Sequence, residues 1–180
     1  MANRYWVGGT GTWDATTTHW SASSGGASGA SAPTNTDDVF IDNNSGAIVI
    51  TVSSSAVCRN LTISNTGNGS ITGTLTNCAG SYSGPTSGTV TLTNFNIVFT
   101  TSISSNTIAT NSRQIGSLKI NSALGIWTAS GNLDVAGAIT VSKGTFNAGS
   151  GTINCSTLGN DTTTGGTTIN LNSATINMSN

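Results

Sequence analysis

The side chains that could move a proton, attack a carbonyl or ligate a metal are few in this chain. Across 180 residues there are six Asp, one His and three Cys, and no Glu. Glycoside hydrolysis generally needs two carboxylates at a defined separation, and the supply is Asp14, Asp37, Asp38, Asp42, Asp134 and Asp161. Only Asp37, Asp38 and Asp42 cluster. In an extended strand Asp38, Phe40 and Asp42 share one face, while Asp37, Val39 and Ile41 share the other. At roughly 3.3 Å per residue, Asp38 and Asp42 then stand about 13 Å apart, too wide for a glycosidase pair. With Asn43 and Asn44 the cluster offers oxygen ligands, but its spacing is not that of a calcium loop. Asx turns at the strand ends are expected instead, and no metal. His19 sits between Thr18 and Trp20, and no G-x-S-x-G elbow accompanies it, so a packed or capping role is expected. Cys58, Cys78 and Cys155 are odd in number and widely spaced. With no C-x-x-C pair they indicate neither a disulfide framework nor a zinc site, and read as small buried fillers. The chemistry points away from an enzyme, with no catalytic residue and no cofactor.

The other conspicuous group is aromatic. Three of the four Trp fall at Trp6, Trp13 and Trp20, together with Tyr5 and His19. A spacing of seven would suit a helical seam, but Gly8, Gly9 and Gly11 interrupt it and Thr16, Thr17 and Thr18 are β-branched, so short strands and tight turns are expected. Tyr5, Trp6, Trp13, His19 and Trp20 are therefore the candidate docking or capping residues. Trp and Tyr rings can stack on sugars, yet closing the open end of a strand stack is the simpler role for them.

These groups sit in a chain almost free of charge. Charged residues are 6% of the whole and the formal net charge is -1, against about 25% charged in an average globular domain. Ser, Thr, Asn and Gly fill 102 of the 180 positions, so polarity rests on hydroxyls and amides. Nucleic-acid binding is excluded as an expectation, since Arg4, Arg59, Arg113, Lys119 and Lys143 form no patch to neutralise phosphates. No apolar run approaches the roughly 18 residues of a transmembrane helix, so membrane insertion is not expected. The N-terminus lacks the apolar core of a secretory signal peptide.

The elements that must position these residues read as strands throughout. Segment 1–44 is expected to form an aromatic-rich β cap, with 21–32, SASSGGASGASA, as a long loop and 38–42 as a strand. From residue 45 to 180 short alternating strands (AIVITV, NLTIS, TVTLTN, SLKIN, AITV, TINLN) are separated by Gly, Asn and Ser clusters. Leu133, Ile139, Phe146 and Ile153 recur every six or seven residues, and Leu118, Ile139 and Leu158 repeat at about 20, the range of repeat architectures. The expected fold is all-β, a parallel β-solenoid (β-helix) of about 20-residue coils with three short faces. Segments 67–73, GNGSITG, and 80–88, GSYSGPTSG, read as longer loops.

The opening RYWVGGTGTWD, the stretch PTNTDDVFID, then VCRNLTI and IGSLKIN through GTINC together resemble a group of β-solenoid proteins of bacteriophages and environmental bacteria. Members of that group look like tail-fibre, appendage or adhesin components. The resemblance implies that Trp6, Trp13 and Trp20 belong to an N-terminal cap. It also implies that Cys58 and Leu61 point inward on either side of a corner at Arg59 and Asn60. The function expected is that of a structural virion protein, a bacteriophage fibre or appendage that attaches to the particle by its N-terminal region and projects a solenoid for host attachment. Its partners are expected to be other virion proteins, a host surface glycan and two further copies in a homotrimer. Its place is the virion, assembled in the host cytoplasm and released by lysis, which reconciles an extracellular composition with the missing export signal. Two alternatives stand beside it: a glycan-binding or depolymerising tailspike-like module, which needs a groove with aromatics and paired carboxylates, and a bacterial surface adhesin. The final strands run to Asn180 without a capping feature, so either a partner covers that end or the chain continues.

Overall fold

In a computed structural model, residues 1–100, 105–161 and 166–179 are described; Asn180, the last residue of the expected solenoid, lies outside them. The first strands are β1 (Asn3–Trp6), β2 (Thr10–Trp13), β3 (Trp20–Ser21), β4 (Asp38–Ile41), β5 (Ile48–Val52), β6 (Val57–Cys58), β7 (Leu61–Ile63), β8 (Asn68–Cys78) and β9 (Tyr82–Ser83). They continue as β10 (Thr89–Thr91), β11 (Phe95–Thr100), β12 (Ser105–Ala109), β13 (Leu118–Ala129), β14 (Leu133–Asp134), β15 (Ala138–Asn147), β16 (Thr152–Cys155), β17 (Thr157–Asn160), β18 (Thr167–Asn170) and β19 (Thr175–Met178). All pairings between these strands are parallel except that of β1 with β3. The chain is a β-solenoid of about six turns.

Each turn visits three faces in a fixed order. One face stacks β2, β5, the start of β8 and β10, then β14, β16 and β19, joined through the bridges of Ile115 to Leu92 and Val135. The second stacks β6, the end of β8, β11, the start of β13, the start of β15 and β17. The third stacks β1, β4, β7, β9, β12 and the second halves of β13 and β15, ending on β18. On the second face Leu75, Ile97, Leu118, Ile139 and Leu158 lie in register, at steps of 22, 21, 21 and 19 residues. The 20-residue repeat read from Leu118, Ile139 and Leu158 is therefore the coil itself.

Alternation explains why such short strands suffice. In β5 the burial runs buried, exposed, buried, exposed, buried for IVITV, the period-2 pattern that puts every second side chain inside. One core runs from Trp6 to Cys155 and includes Leu133, Ile139, Phe146 and Ile153. It is continuous with segment 1–44, because β2 pairs β5 and β4 pairs β7. At the corners the backbone leaves the ladder, and Asn amides supply the missing acceptors. Thr66, Ser81, Ser117 and Thr152 donate their backbone N–H to the Oδ1 of Asn43, Asn60, Asn96 and Asn132, at 2.7, 2.7, 2.8 and 2.9 Å. Unmatched buried N–H groups would otherwise cost stability at every turn.

Two departures from the sequence reading have physical causes. GNGSITG is not a loop but part of the 11-residue strand β8. Its glycines are there for close approach between coils: a Cβ on Gly69 would lie 2.1 Å from the Ile48 carbonyl oxygen, and one on Gly73 would lie 2.3 Å from that of Val52. The second departure is a single 3-10 turn, Asn43–Ser45, capped by Asp42. GSYSGPTSG holds β9 at its start, where the Tyr82 ring is fully buried and its hydroxyl has no hydrogen-bond partner.

Gly73 combines that contact with a φ of 99°, so Gly73→Ala is expected to destabilise the fold by about 2–3 kcal/mol. Gly159→Ala, where a Cβ meets nothing within 4 Å, serves as the control in the same urea titration. Tyr82→Phe removes an orphaned polar atom and is expected to leave the melting temperature unchanged or higher; a clear drop would show that the hydroxyl is solvated after all.

Candidate functional site

The N-terminal aromatic residues converge as one cluster, but they face inward. Trp6, Trp13 and Trp20 are 0–1% exposed. Trp20 sits edge-on to both others, with ring centroids 5.3 Å from Trp6 and 5.3 Å from Trp13, the edge-to-face geometry aromatic pairs favour. The His19 ring stacks on Trp6 at 4.5 Å and 8°. Its Nδ1 donates to the Val7 carbonyl at 3.1 Å. Gly11 leaves room for the other edge of the ring, since a Cβ there would lie 2.1 Å from His19 Nε2. Trp6 Nε1 donates to the Gly9 carbonyl at 2.9 Å. The three tryptophans have no free face for a sugar, and they seal the first coils.

What the cap presents outward is a tethered loop. Tyr5, half-buried, stacks on Phe40 at 5.0 Å. Arg4 donates from Nε to the Ser31 carbonyl at 2.8 Å and from its terminal nitrogen to Ser31 Oγ at 2.7 Å. Ser24 Oγ donates to Asp42 at 2.6 Å and accepts from Asn44 Nδ2 at 2.9 Å. Ser21 lies in β3, and residues 22–32 form a loop held near both ends against the cap.

The carboxylates divide among structural tasks. Val39 and Ile41 point inward with Asp37, while Asp38, Phe40 and Asp42 lie on the half-exposed face, as alternation predicts. Asp38 takes a bidentate pair from Arg59, with Nε at 2.8 Å, and a third bond from Asn60 Nδ2 at 2.8 Å. This pair ties two consecutive coils across the corner. Arg59 and Asn60 are half-exposed there, between a buried Cys58 and a buried Leu61. Asp37, almost fully buried, accepts from Ala2 N at 2.7 Å, Thr34 N at 3.1 Å and Thr34 Oγ1 at 2.8 Å. Burial pushes its carboxyl up, but the bonds from Thr34 and Ala2 outweigh that and hold it below the ordinary range. Asp14 is held low mainly by the Thr16 hydroxyl and then the Thr16 backbone N–H. It lines a shallow polar cleft of about 300 Å³ with Thr12, Thr16, Thr18 and His19. Asp134 accepts from Gln114, and Asp161 pairs Lys119 at 3.1 Å with Ser142 beside it. Among the described residues no three His, Cys or Asp side chains group so as to hold a metal ion.

One further surface was not visible in the sequence. A flank groove of about 370 Å³ on the second face is lined by Thr74, Asn96, Val98, Ser117, Lys119 and Thr140, with no aromatic ring among its described lining residues. Among the described residues, β17, β18 and β19 at the last coil each pair on one side. Leu171 and Met178 are 48% and 65% exposed there, beside half-buried Leu158, Ile169 and Ile176. No protein-family model matches the chain, and no curated protein or solved structure matches it either.

The depressed carboxyl of Asp37 has a defined pH signature. A folded-state value below the unfolded one contributes stability in full above about pH 4, and that contribution is lost as pH falls through the folded value. Asp37→Asn is therefore expected to cost roughly 1–3 kcal/mol at pH 7 and to flatten the loss of stability below pH 4. Urea titrations of both proteins from pH 2 to 7 check it, and parallel acid profiles would refute it.

Proposed function

We propose that the chain is a structural protein of a bacteriophage virion, a fibre or appendage segment that joins the particle by its N-terminal region and projects its solenoid toward the host. The observation that supports this reading is the build of the first coils. The first coils are closed by buried tryptophans and covered by a tethered polar loop, a rigid block suited to seating in a particle. The stack then extends as a continuous ladder whose outer surface carries hydroxyls and amides. Such a surface draws little non-specific electrostatic attraction. In this reading the partners are other virion proteins, with a homotrimer as the assembly. The contact of Tyr5 and the loop 22–32 with the particle takes the place of the buried Trp6, Trp13 and Trp20 and the half-buried His19 as the docking surface.

Host attachment would use the flank groove. Asn96, Ser117, Thr140 and Lys119 place amide, hydroxyl and ammonium groups along one wall, chemistry that matches the hydroxyls of a surface glycan through many weak hydrogen bonds. Depolymerisation has less support, because the one carboxylate near that groove, Asp161, is engaged with Lys119 and Ser142.

The test is mass spectrometry of purified particles. Tryptic peptides 5–59 and 144–180 are expected at a fixed ratio to the major structural proteins. Their absence from every particle fraction, with the protein present in the lysate, would remove the proposal.

A further inference from the structure

The three cysteines are all buried thiols, as their expected filler role predicts, but two of them are stacked. Cys58 in β6 and Cys78 in β8 are register partners on neighbouring coils. Both side chains are 0% exposed, inside the same core, so both point the same way from parallel strands. Adjacent strands lie about 4.8 Å apart, inside the roughly 4.4–6.8 Å Cα separation over which a disulfide forms. Cys78 Sγ lies 3.5 Å from the Arg59 carbonyl oxygen. Cys155 has no such neighbour: its register partner on the next coil is Met178. The linear sequence hides this relation, because 20 intervening steps match no cysteine motif and equal one turn of the coil.

We propose that Cys58 and Cys78 are a modification site, a thiol pair that closes into a disulfide and staples two successive coils when the chain folds in the presence of a low-molecular-weight disulfide. One cysteine thiolate attacks the reagent R–S–S–R, forming a mixed disulfide and releasing one R–S⁻. The second cysteine thiolate attacks the protein sulfur of that mixed disulfide, forming the Cys58–Cys78 bond and releasing the second R–S⁻. The protein loses two hydrogens and two electrons, and the reagent leaves as two R–SH. The step belongs to folding, when the coils are still open. Once the stack has closed, burial and the adjacent Cys78 push the Cys58 thiol up, and a buried thiol is a poor nucleophile. The staple sits beside the Arg59–Asp38 pair, so it would lock the junction between the cap and the projecting coils. It follows from the fold and holds whether or not the virion reading does.

Trypsin makes the test direct, because cleavage after Arg59 separates Cys58, in peptide 5–59, from Cys78, in peptide 60–113, while Cys155 falls in 144–180. The full chain is refolded from urea in a reduced/oxidised glutathione buffer, alkylated, and digested without reductant. The expected result is one linked pair of peptides 5–59 and 60–113, two hydrogens lighter than their sum, with Cys155 alkylated. The oxidised protein should melt about 5–10 °C above the reduced one, and dithiothreitol should abolish the difference. Protein folded first and then given oxidised glutathione should cross-link at least tenfold more slowly. Three free thiols in a chain with full β-sheet circular dichroism would overturn the proposal, as would a linkage to Cys155 or a cross-linked form that melts lower. Cys155→Ala repeats the measurement without the third thiol, and must give the same linked pair.

Discussion

Everything in this molecule depends on the chain returning to the same place about every 21 residues, so that each strand finds a parallel partner above and below. The backbone spine at one corner shows the constraint directly. Gly116, Gly137 and Ser156 each donate an N–H to the carbonyl one coil earlier, those of Phe95, Gly116 and Gly137, at 2.9, 2.8 and 2.9 Å. A step of wrong length would put inward side chains outside and leave a row of buried polar groups unmatched. The low charge follows from the same geometry. A charge on an outward position would meet its equivalents about 4.8 Å away on neighbouring coils, and like charges at that separation repel. The charges that remain are largely paired between coils, as Arg59 with Asp38 and Lys119 with Asp161, or used to hold turns.

The first coils close over their own core. At the start the rings of Trp6, Trp13 and Trp20 fill the first coils, and β3 turns antiparallel against β1. That reversal ends the parallel ladder with a short strand that offers little edge for another chain. Among the described residues around β18 and β19, Leu171 and Met178 are exposed beside half-buried Ile169 and Ile176.

Much of this was legible in the residues because burial in a strand stack has a simple code. The alternation of IVITV, the inward pair Val39 and Ile41, and the spacing of Leu118, Ile139 and Leu158 each read correctly, since a period of 2 within strands and about 20 between them leaves a direct trace. GNGSITG did not. Glycine is a loop signal in isolation, whereas here Gly69 and Gly73 are required by carbonyls of the previous coil, about 21 residues away. The aromatic cluster was legible as a group, yet not the direction its rings face, because a tryptophan that plugs a core and one that stacks on a ligand look the same in a chain of letters.

The sequence by itself determined the all-β class, the near-neutral surface, the three-faced coil and its approximate period, because these are set by local alternation and composition. Tertiary structure decided which residues meet across the coils. The steps between in-register residues run from 19 for Ile139 to Leu158 up to 39 for Thr10 to Val49, and that variation is taken up in corners and loops whose lengths carry no marker of register. The pairing of Arg59 with Asp38, the Asn acceptors at the corners and the stacking of Cys58 on Cys78 all depend on that register, and backbone hydrogen bonding between coils sets it only when the stack closes.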